Sequence, residues 1–473
     1  MLANQLTNLT GGQPAGLPDT LDLVAGLDAA LTGGLGRVGD EAATALAALA
    51  GALSPTPLAE PVAEAADGIV AGAVTEQHLA ALAGARSALL GAAHDALLAQ
   101  LDNALGRDRA PWSALPPAPS APVSPVLAGA RAWLQEVAVT GWRGVDHELL
   151  SAAGTPVEAA MAEPGLRRLA VLLDGLAAEL RACAPVATLP QVPARRWADL
   201  WARGVLLAQD GAVDPGVDTA ERVSGRLLPL GVDVHEHDTA LQIQVHGLLE
   251  PAGGGAPRLV RTAVGAAKVD TIVGPALWRL LHAHPVLLAA LAQRRGLAVT
   301  DLPVRGADLF WHDDRARLDE PVDPFAAARV LLPGARAAAP APLDRHPAAI
   351  AEPVLIEGYA VAEHDDGPAV ELGGATIAVA VDRLPACGPL TRELVAASSA
   401  CLGLLRWDDG RWLLQPLALR TTVKRKVVDV HTGDWADGVT DPKVAKAEAK
   451  AGDAVAVLRE RAGRLLRRST SRP

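Results

Sequence analysis

The sequence predicts an α+β chain of several domains, mainly helical in its first half and mixed antiparallel β and helix in its second, ending in a basic C-terminal helix. Three observations carry this. Apolar residues recur at helical spacing to about residue 210, the period falls to two after Gly211, and two Pro-rich stretches punctuate the pattern. A length of 473 residues also exceeds what one core supports, since cores stop growing near roughly 250–300 residues.

Residues 1–107 read as a helical region. Asp40 is placed to cap a helix ending at Leu53, and Thr75 a longer one through Leu105, in which Leu79, Leu82, Leu89, Leu90, Leu97 and Leu101 keep helical spacing. Six prolines alternate with Ala and Ser between Ala110 and Pro125, so 108–125 reads as an extended linker. A second helical region, 126–210, holds helices at Val126–Trp142, Gly165–Cys183 and Pro193–Ala208. In the last of these Trp197, Leu200, Trp201, Gly204, Val205 and Ala208 form one stripe, which reads as a core face before a recognition surface.

Residues 211–332 read as an α+β domain: Leu241, Ile243 and Val245 alternate with polar neighbours, Arg258–Val264 is a further strand, and a helix kinked at Pro285 follows Gly274-Pro275. Residues 333–347 are an Ala/Pro linker, and 348–432 a β-rich domain with strands at Val354–Val361, Ala369–Leu372 and Thr376–Val381. Leu402–Trp407 and Arg411–Leu419 flank Asp408-Asp409-Gly410. A type I′ turn at Asp409-Gly410 sets Trp407 opposite Trp412 and Asp408 opposite Arg411.

Composition narrows the function classes. Half the residues are apolar, but Phe310, Phe325 and Tyr359 are the only aromatics beside ten tryptophans, so the core is aliphatic with Trp as its large filler. Cys183, Cys387 and Cys401 form no CxxC pair, which points to a reducing compartment. The first ten residues lack the basic and apolar regions of a signal peptide, and apolar runs such as Ala42–Leu53 fall short of the roughly 18–20 residues of a membrane span, so the expectation is a cytoplasmic protein. No GxxxxGK[ST], GxSxG or HExxH motif is present, and no GxGxxG stands at a strand-to-helix turn, so the common nucleotide-binding and hydrolase templates receive no support and no cofactor is expected.

Two features remain as candidate sites. His235 and His237 share one face of a strand, and a returning strand brings His246 toward them, the elements of a metal site in an enzyme; a polar strand end is the competing reading. His312-Asp313-Asp314 and His364-Asp365-Asp366 read as turns, and Lys268 as an exposed lysine at a strand end. The second feature is the tail. Five of the six lysines lie in the last fifty residues, and from Lys443 onward nine Lys/Arg stand against three Asp/Glu, leaving −17 on the remainder of a chain of net charge −11. Asp441 caps a helix over 441–468 with Pro442 at N1, and Lys443, Lys446, Lys450, Arg461, Arg464, Arg467 and Arg468 crowd its polar face. Lys424-Arg425-Lys426 adds a second basic point within a strand. A tail without Trp or Phe on an acidic body favours an acidic protein surface, its own body included, over nucleic acid or membrane.

The segment Ala194-Arg195-Arg196-Trp197-Ala198-Asp199-Leu200-Trp201, with Leu227-Leu228-Pro229-Leu230-Gly231-Val232-Asp233, resembles uncharacterised actinobacterial proteins whose genes neighbour those of MoxR-type AAA+ ATPases, von Willebrand A-domain proteins and SWIM zinc-finger proteins. The resemblance covers about the middle half of the chain and transfers no functional residue. It implies an accessory subunit of an ATPase-linked assembly, in keeping with a non-enzymatic adaptor or scaffold.

Overall fold

The structure is a computed structural model that describes residues 1–112, 124–211, 220–365 and 367–451, together with 456, 457 and 460. Five helices open the chain: α1 (Ala3–Thr10), α2 (Leu17–Gly33), α3 (Asp40–Leu53), α4 (Ala59–Val70) and α5 (Glu76–Leu105). After a short strand, β1 (Arg109–Ala110), come α6 (Pro125–Thr140), α7 (His147–Ala152), α8 (Gly154–Ala162), α9 (Arg167–Ala182) and α10 (Ala194–Leu207). Thr75 caps α5 as expected, accepting from the His78 amide at 3.2 Å. Asp40 is instead the first residue of α3, following Gly39, where its charge complements the helix dipole.

The helical regions 1–107 and 126–210 share one core. Leu27, Leu31, Leu46 and Leu82 from the first pack with Leu134, Leu173, Leu176 and Trp201 from the second. Trp197 and Trp201 are fully buried, so the stripe is a core face. The Trp201 indole N–H donates to the Leu134 carbonyl at 3.0 Å, and Trp142 meets Trp197 edge-on at 6.4 Å. The two regions also touch through backbone: a Cβ on Gly141 would lie 2.3 Å from the Gly34 nitrogen, and both residues have positive φ (76° and 92°). Residues 113–123 of the first linker lie outside the described residues.

Chain polarity then switches. The next elements are β2 (Glu221–Glu236), β3 (Ala240–Pro251), β4 (Arg258–Ala267), α11 (Pro285–Ala292), β5 (Arg295–Arg305), β6 (Asp308–Leu309) and β7 (Ala316–Pro321). Strand neighbours run β2–β3–β4–β6–β5–β7, and β5 also pairs with β2, so five strands close into a ring. Val232, Leu241, Ile243 and Val245 fill it with Leu297 and Leu302, which abolishes most free edges. The expected kinked helix is two pieces: a 3₁₀ stretch, Gly274–Leu281, then α11, which begins at Pro285 because proline suits a helix start and not an interior. Asp313 accepts from the Val286 and Leu287 amides at 3.0 and 3.2 Å, so the His-Asp-Asp turn serves as a cap for α11.

After α12 (Pro324–Leu331), residues 333–347 are pinned: β8 (Ala337–Ala338) pairs in parallel with β1. A second sheet contains β9 (Glu352–Glu357), β10 (Ala360–His364), β11 (Gly367–Leu372), β12 (Ala375–Val379), β13 (Ser398–Asp408), β14 (Arg411–Val423) and β15 (Lys426–His431), with α13 (Arg392–Ala396) before β13. Trp407 pairs with Trp412 and Asp408 with Arg411 across Asp409-Gly410, whose φ values are 47° and 75°, as the turn chemistry predicts. Lys424 and Arg425 also have positive φ (48° and 64°); they form the turn between β14 and β15, where the sequence suggested a strand.

One face of this sheet packs on helices, the other on the barrel. Ala93, Leu97 and Leu101 of α5 join the sheet core while Leu79 and Leu82 of the same helix lie in the bundle core. On the opposite face a Cβ at Gly231 would sit 2.5 Å from the Leu417 Cβ, so β2 and β14 approach as closely as glycine allows. The tail begins with α14 (Pro442–Ala451), capped as expected by Asp441, whose carboxylate accepts from the Lys443 and Val444 amides at 2.7 and 3.1 Å. Val444 packs on the barrel core and Glu448 lies 3.2 Å from Arg279, so the start of the basic helix rests on the chain's own body. Among the described residues no helix is long and apolar enough to cross a membrane.

Candidate functional site

Where bundle, barrel and second sheet meet, they leave a cleft of about 1500 Å³. Its walls come from α2, the start of α10, strands β2, β3 and β4, residues 340–351 and Arg406 of β13. Seven arginines, four aspartates and three histidines line it, an excess of positive charge on a chain of net charge −11.

The start of α10 is held by a buried ion pair. Arg86 of α5 is 1% exposed; it donates to Asp28 of α2 at 2.7 and 3.0 Å and to the Arg195 carbonyl at 2.9 Å, and lies 3.6 Å from Asp199. Burial raises the Asp28 pKa, and the Arg86 hydrogen bonds and charge oppose the rise. Pro193 precedes α10 and offers no capping side chain, so the Arg195 and Arg196 amides have no hydrogen-bond partner among the described residues.

Most cleft guanidinium groups are committed. Arg168 pairs with Asp344, Arg196 with Glu179, Arg203 with Asp199 and Arg261 with Asp308. Arg143 donates to the carbonyls of Ala187 and Leu189. Arg195, exposed, is the exception: its guanidinium makes no hydrogen bond or ion pair among the described residues. Nearby, the His346 Nδ1 accepts from the Ala348 amide at 3.0 Å, which leaves Nε2 to carry the ring N–H. Burial, with the charges of Arg86, Arg195 and Arg203 and against Asp199, pushes the His346 pKa down to about 4, so the ring is neutral at pH 7.

The cleft floor contains His235. Its Nε2 lies 3.0 Å from the Asp233 carboxylate, which also accepts from Arg406 and, at 2.8 Å, from Gln415. Burial works to raise the Asp233 pKa, but the His235 and Gln415 hydrogen bonds and the Arg406 charge outweigh it and hold the carboxyl well below the usual range. The other two expected metal ligands lie elsewhere. His237 is exposed at the β2–β3 turn. His246 pairs with Gly231 while His235 pairs with Gln242, so the two imidazoles share a face but stand four residues, roughly 13 Å, apart along it. His246 is buried, its pKa driven down to about 3, and its Nε2 has no partner among the described residues. Among the described residues no three His, Cys, Asp or Glu side chains form a group that could hold a metal ion.

Lys268 is buried, not exposed: its Nζ lies 2.7 Å from Glu236 on the neighbouring hairpin. In the tail, Lys443 and Lys446 are exposed, while the Lys450 side chain and Arg461, Arg464, Arg467 and Arg468 lie outside the described residues.

The chain matches no family model, no curated protein and no solved structure. Its chemistry is therefore read from the cleft alone. Sequence reasoning missed this site because its residues run from Asp28 to Arg406 and no local pattern joins them. The one local signal was Arg195-Arg196, one residue past Pro193 and off the apolar stripe of α10.

Proposed function

We propose that this chain is a non-enzymatic adaptor that receives an acidic segment of a protein partner in the arginine-lined cleft. The carrying observation is charge segregation: seven arginines face four aspartates in the cleft of a protein that is otherwise acidic. Concave walls of low polarizability focus that local potential, and guanidinium forks match carboxylate geometry. The volume of about 1500 Å³ exceeds the roughly 300–1,000 Å³ of a pocket for one small ligand, which favours an extended segment. A nucleic-acid duplex needs a broad basic surface, and the acidic remainder opposes it. An accessory subunit of an ATPase-linked assembly is the form of adaptor that the resemblance around Ala194–Trp201 implies. Exposed Lys443 and Lys446 offer a second attachment point on the tail.

The test is fluorescence anisotropy with a labelled ten-residue poly-glutamate peptide at low and high salt. Wild type binds, salt weakens the complex, and the pair Arg143→Glu with Arg261→Glu lowers affinity at least tenfold while circular dichroism shows an intact fold. Absence of wild-type binding overturns the proposal. So does loss of binding on deleting residues 441–473 with none on reversing the cleft charges, which moves recognition to the tail.

A further inference from the structure

The cleft has one corner whose charges do not balance. Arg86 is spent on Asp28, Arg203 on Asp199, Arg168 on Asp344, and Arg345 on Asp95. That leaves Arg195 as the unmatched cation, and its charge bears on both Asp28 and His346. Apart from Asp28 and Asp199, which are already paired, the groups that line this corner are donors. Arg195 presents an unused fork of N–H groups; His346 presents only its Nε2–H, because Ala348 occupies Nδ1; and the Arg195 and Arg196 amides open a helix of 14 residues with no cap. Donors left over once the two aspartates are paired, beside an unpaired guanidinium, describe the complement of an anion.

The number of donors selects among anions. A carboxylate has two oxygens, and an Arg fork alone can saturate them in bidentate fashion. A phosphate-type group has three terminal oxygens and up to two charges, which the fork, the imidazole and the first-turn amides together can serve. The neighbouring aspartates do not repel it strongly, since Asp28 and Asp199 are both neutralised by Arg86 and Arg203.

We infer that the Arg195–His346 corner is a subsite for a phosphate-type dianion, carried either on a phosphorylated residue of the acidic segment or by a free phosphate compound. This rests on the cleft being an anion-receiving site, and it adds which group enters and where. The corner combines rigidity with an open face: Arg86 fixes the Arg195 carbonyl from below, so the first turn of α10 is ordered before any ligand arrives.

Isothermal titration of the full chain with inorganic phosphate, and with a phosphoserine-containing and an unmodified acidic peptide of equal length, tests this. Wild type binds inorganic phosphate; Arg195→Ala weakens it by 10- to 100-fold, and Arg195→Lys recovers part of the loss because charge returns without the fork. His346→Asn, whose amide oxygen can replace Nδ1 as acceptor for Ala348, weakens it several-fold, while Arg329→Ala, at an exposed arginine of α12 outside the cleft, leaves it unchanged. A phosphopeptide at least tenfold tighter than inorganic phosphate assigns the dianion to a partner segment; the reverse order assigns it to a free compound. Binding of poly-glutamate without any binding of phosphate, or phosphate affinity indifferent to Arg195→Ala, overturns the subsite and leaves the wider cleft reading standing. Failure to bind any of these ligands overturns both.

Discussion

Replacing Arg86 by Met tests how far the cleft depends on one buried ion pair. The substitution keeps an apolar stem in a site 1% exposed but removes two hydrogen bonds to Asp28, one to the Arg195 carbonyl and the 3.6 Å approach to Asp199. Asp28, 4% exposed at its side chain, is left as a buried carboxyl without its cation. Removing one partner of such a pair costs about 3–5 kcal/mol, two to four powers of ten in the folding constant. For a unit of this size that lowers the midpoint of thermal unfolding by on the order of 10 °C. The pH dependence has a defined sign. The folded-state pKa of Asp28 is already raised by burial, and losing Arg86 raises it further, so the folded chain binds a proton that the unfolded chain releases. Stability of the variant therefore recovers as pH falls through that raised value and is lowest at neutral and alkaline pH. Urea unfolding at pH 8 and pH 5 reads both effects, and the double variant Asp28→Leu with Arg86→Met is less destabilised than Arg86→Met alone. A single variant within 1 kcal/mol of wild type at pH 8, or a double variant worse than the single, would refute the reasoning.

Three further outcomes follow from other buried groups. Glu352 is paired with Arg107 at 2.7 Å and Arg109 at 3.2 Å, which against its burial hold its pKa at about 2; its contribution, about 3 kcal/mol, is present above about pH 4.5 and lost as pH falls toward 2, so Glu352→Gln is destabilised at pH 7 and converges on wild type in urea melts near pH 2. His246, held neutral down to about pH 3, takes up its proton in the unfolded chain first, so stability falls as pH drops below about 6.5, and His246→Leu flattens that acid limb in the same titration. Gly231→Ala forces β2 from Leu417 and costs about 1–3 kcal/mol by calorimetry, a loss that Leu417→Ala partly relieves; equal melting of wild type and Gly231→Ala counts against the close approach.

What was legible in the sequence was what local chemistry determines. Asp409-Gly410 fixes a turn and a register, Thr75 and Asp441 mark helix starts, and the Trp197–Trp201 stripe buries itself because no amphipathic helix leaves such a face wet. Strand parity put His235 and His237 on one face with His246 returning toward them, but the pairing of His246 with Gly231, four residues from His235, is set by a register that parity does not give. Lys268 was misread for the same reason: Glu236 reaches it across a hairpin, not along the chain. The ring closure between β2 and β5, the shared core of the two helical regions and the cleft itself depend on contacts between residues distant in sequence, for which periodicity carries no signal.

The 30-residue α5, roughly 45 Å long, runs through two hydrophobic cores and carries His94 in the lining of the cleft and Arg86 buried behind it. A rod anchored at both ends admits no hinge. Bringing the bundle wall toward the sheet wall requires bending α5 or unpacking one core, so the spacing of the cleft is set when the chain folds. For the acidic segment proposed above, such a cleft would act as a gauge of fixed opening, selecting by the length between charges, and a partner of the wrong span would gain nothing from flexibility on this side.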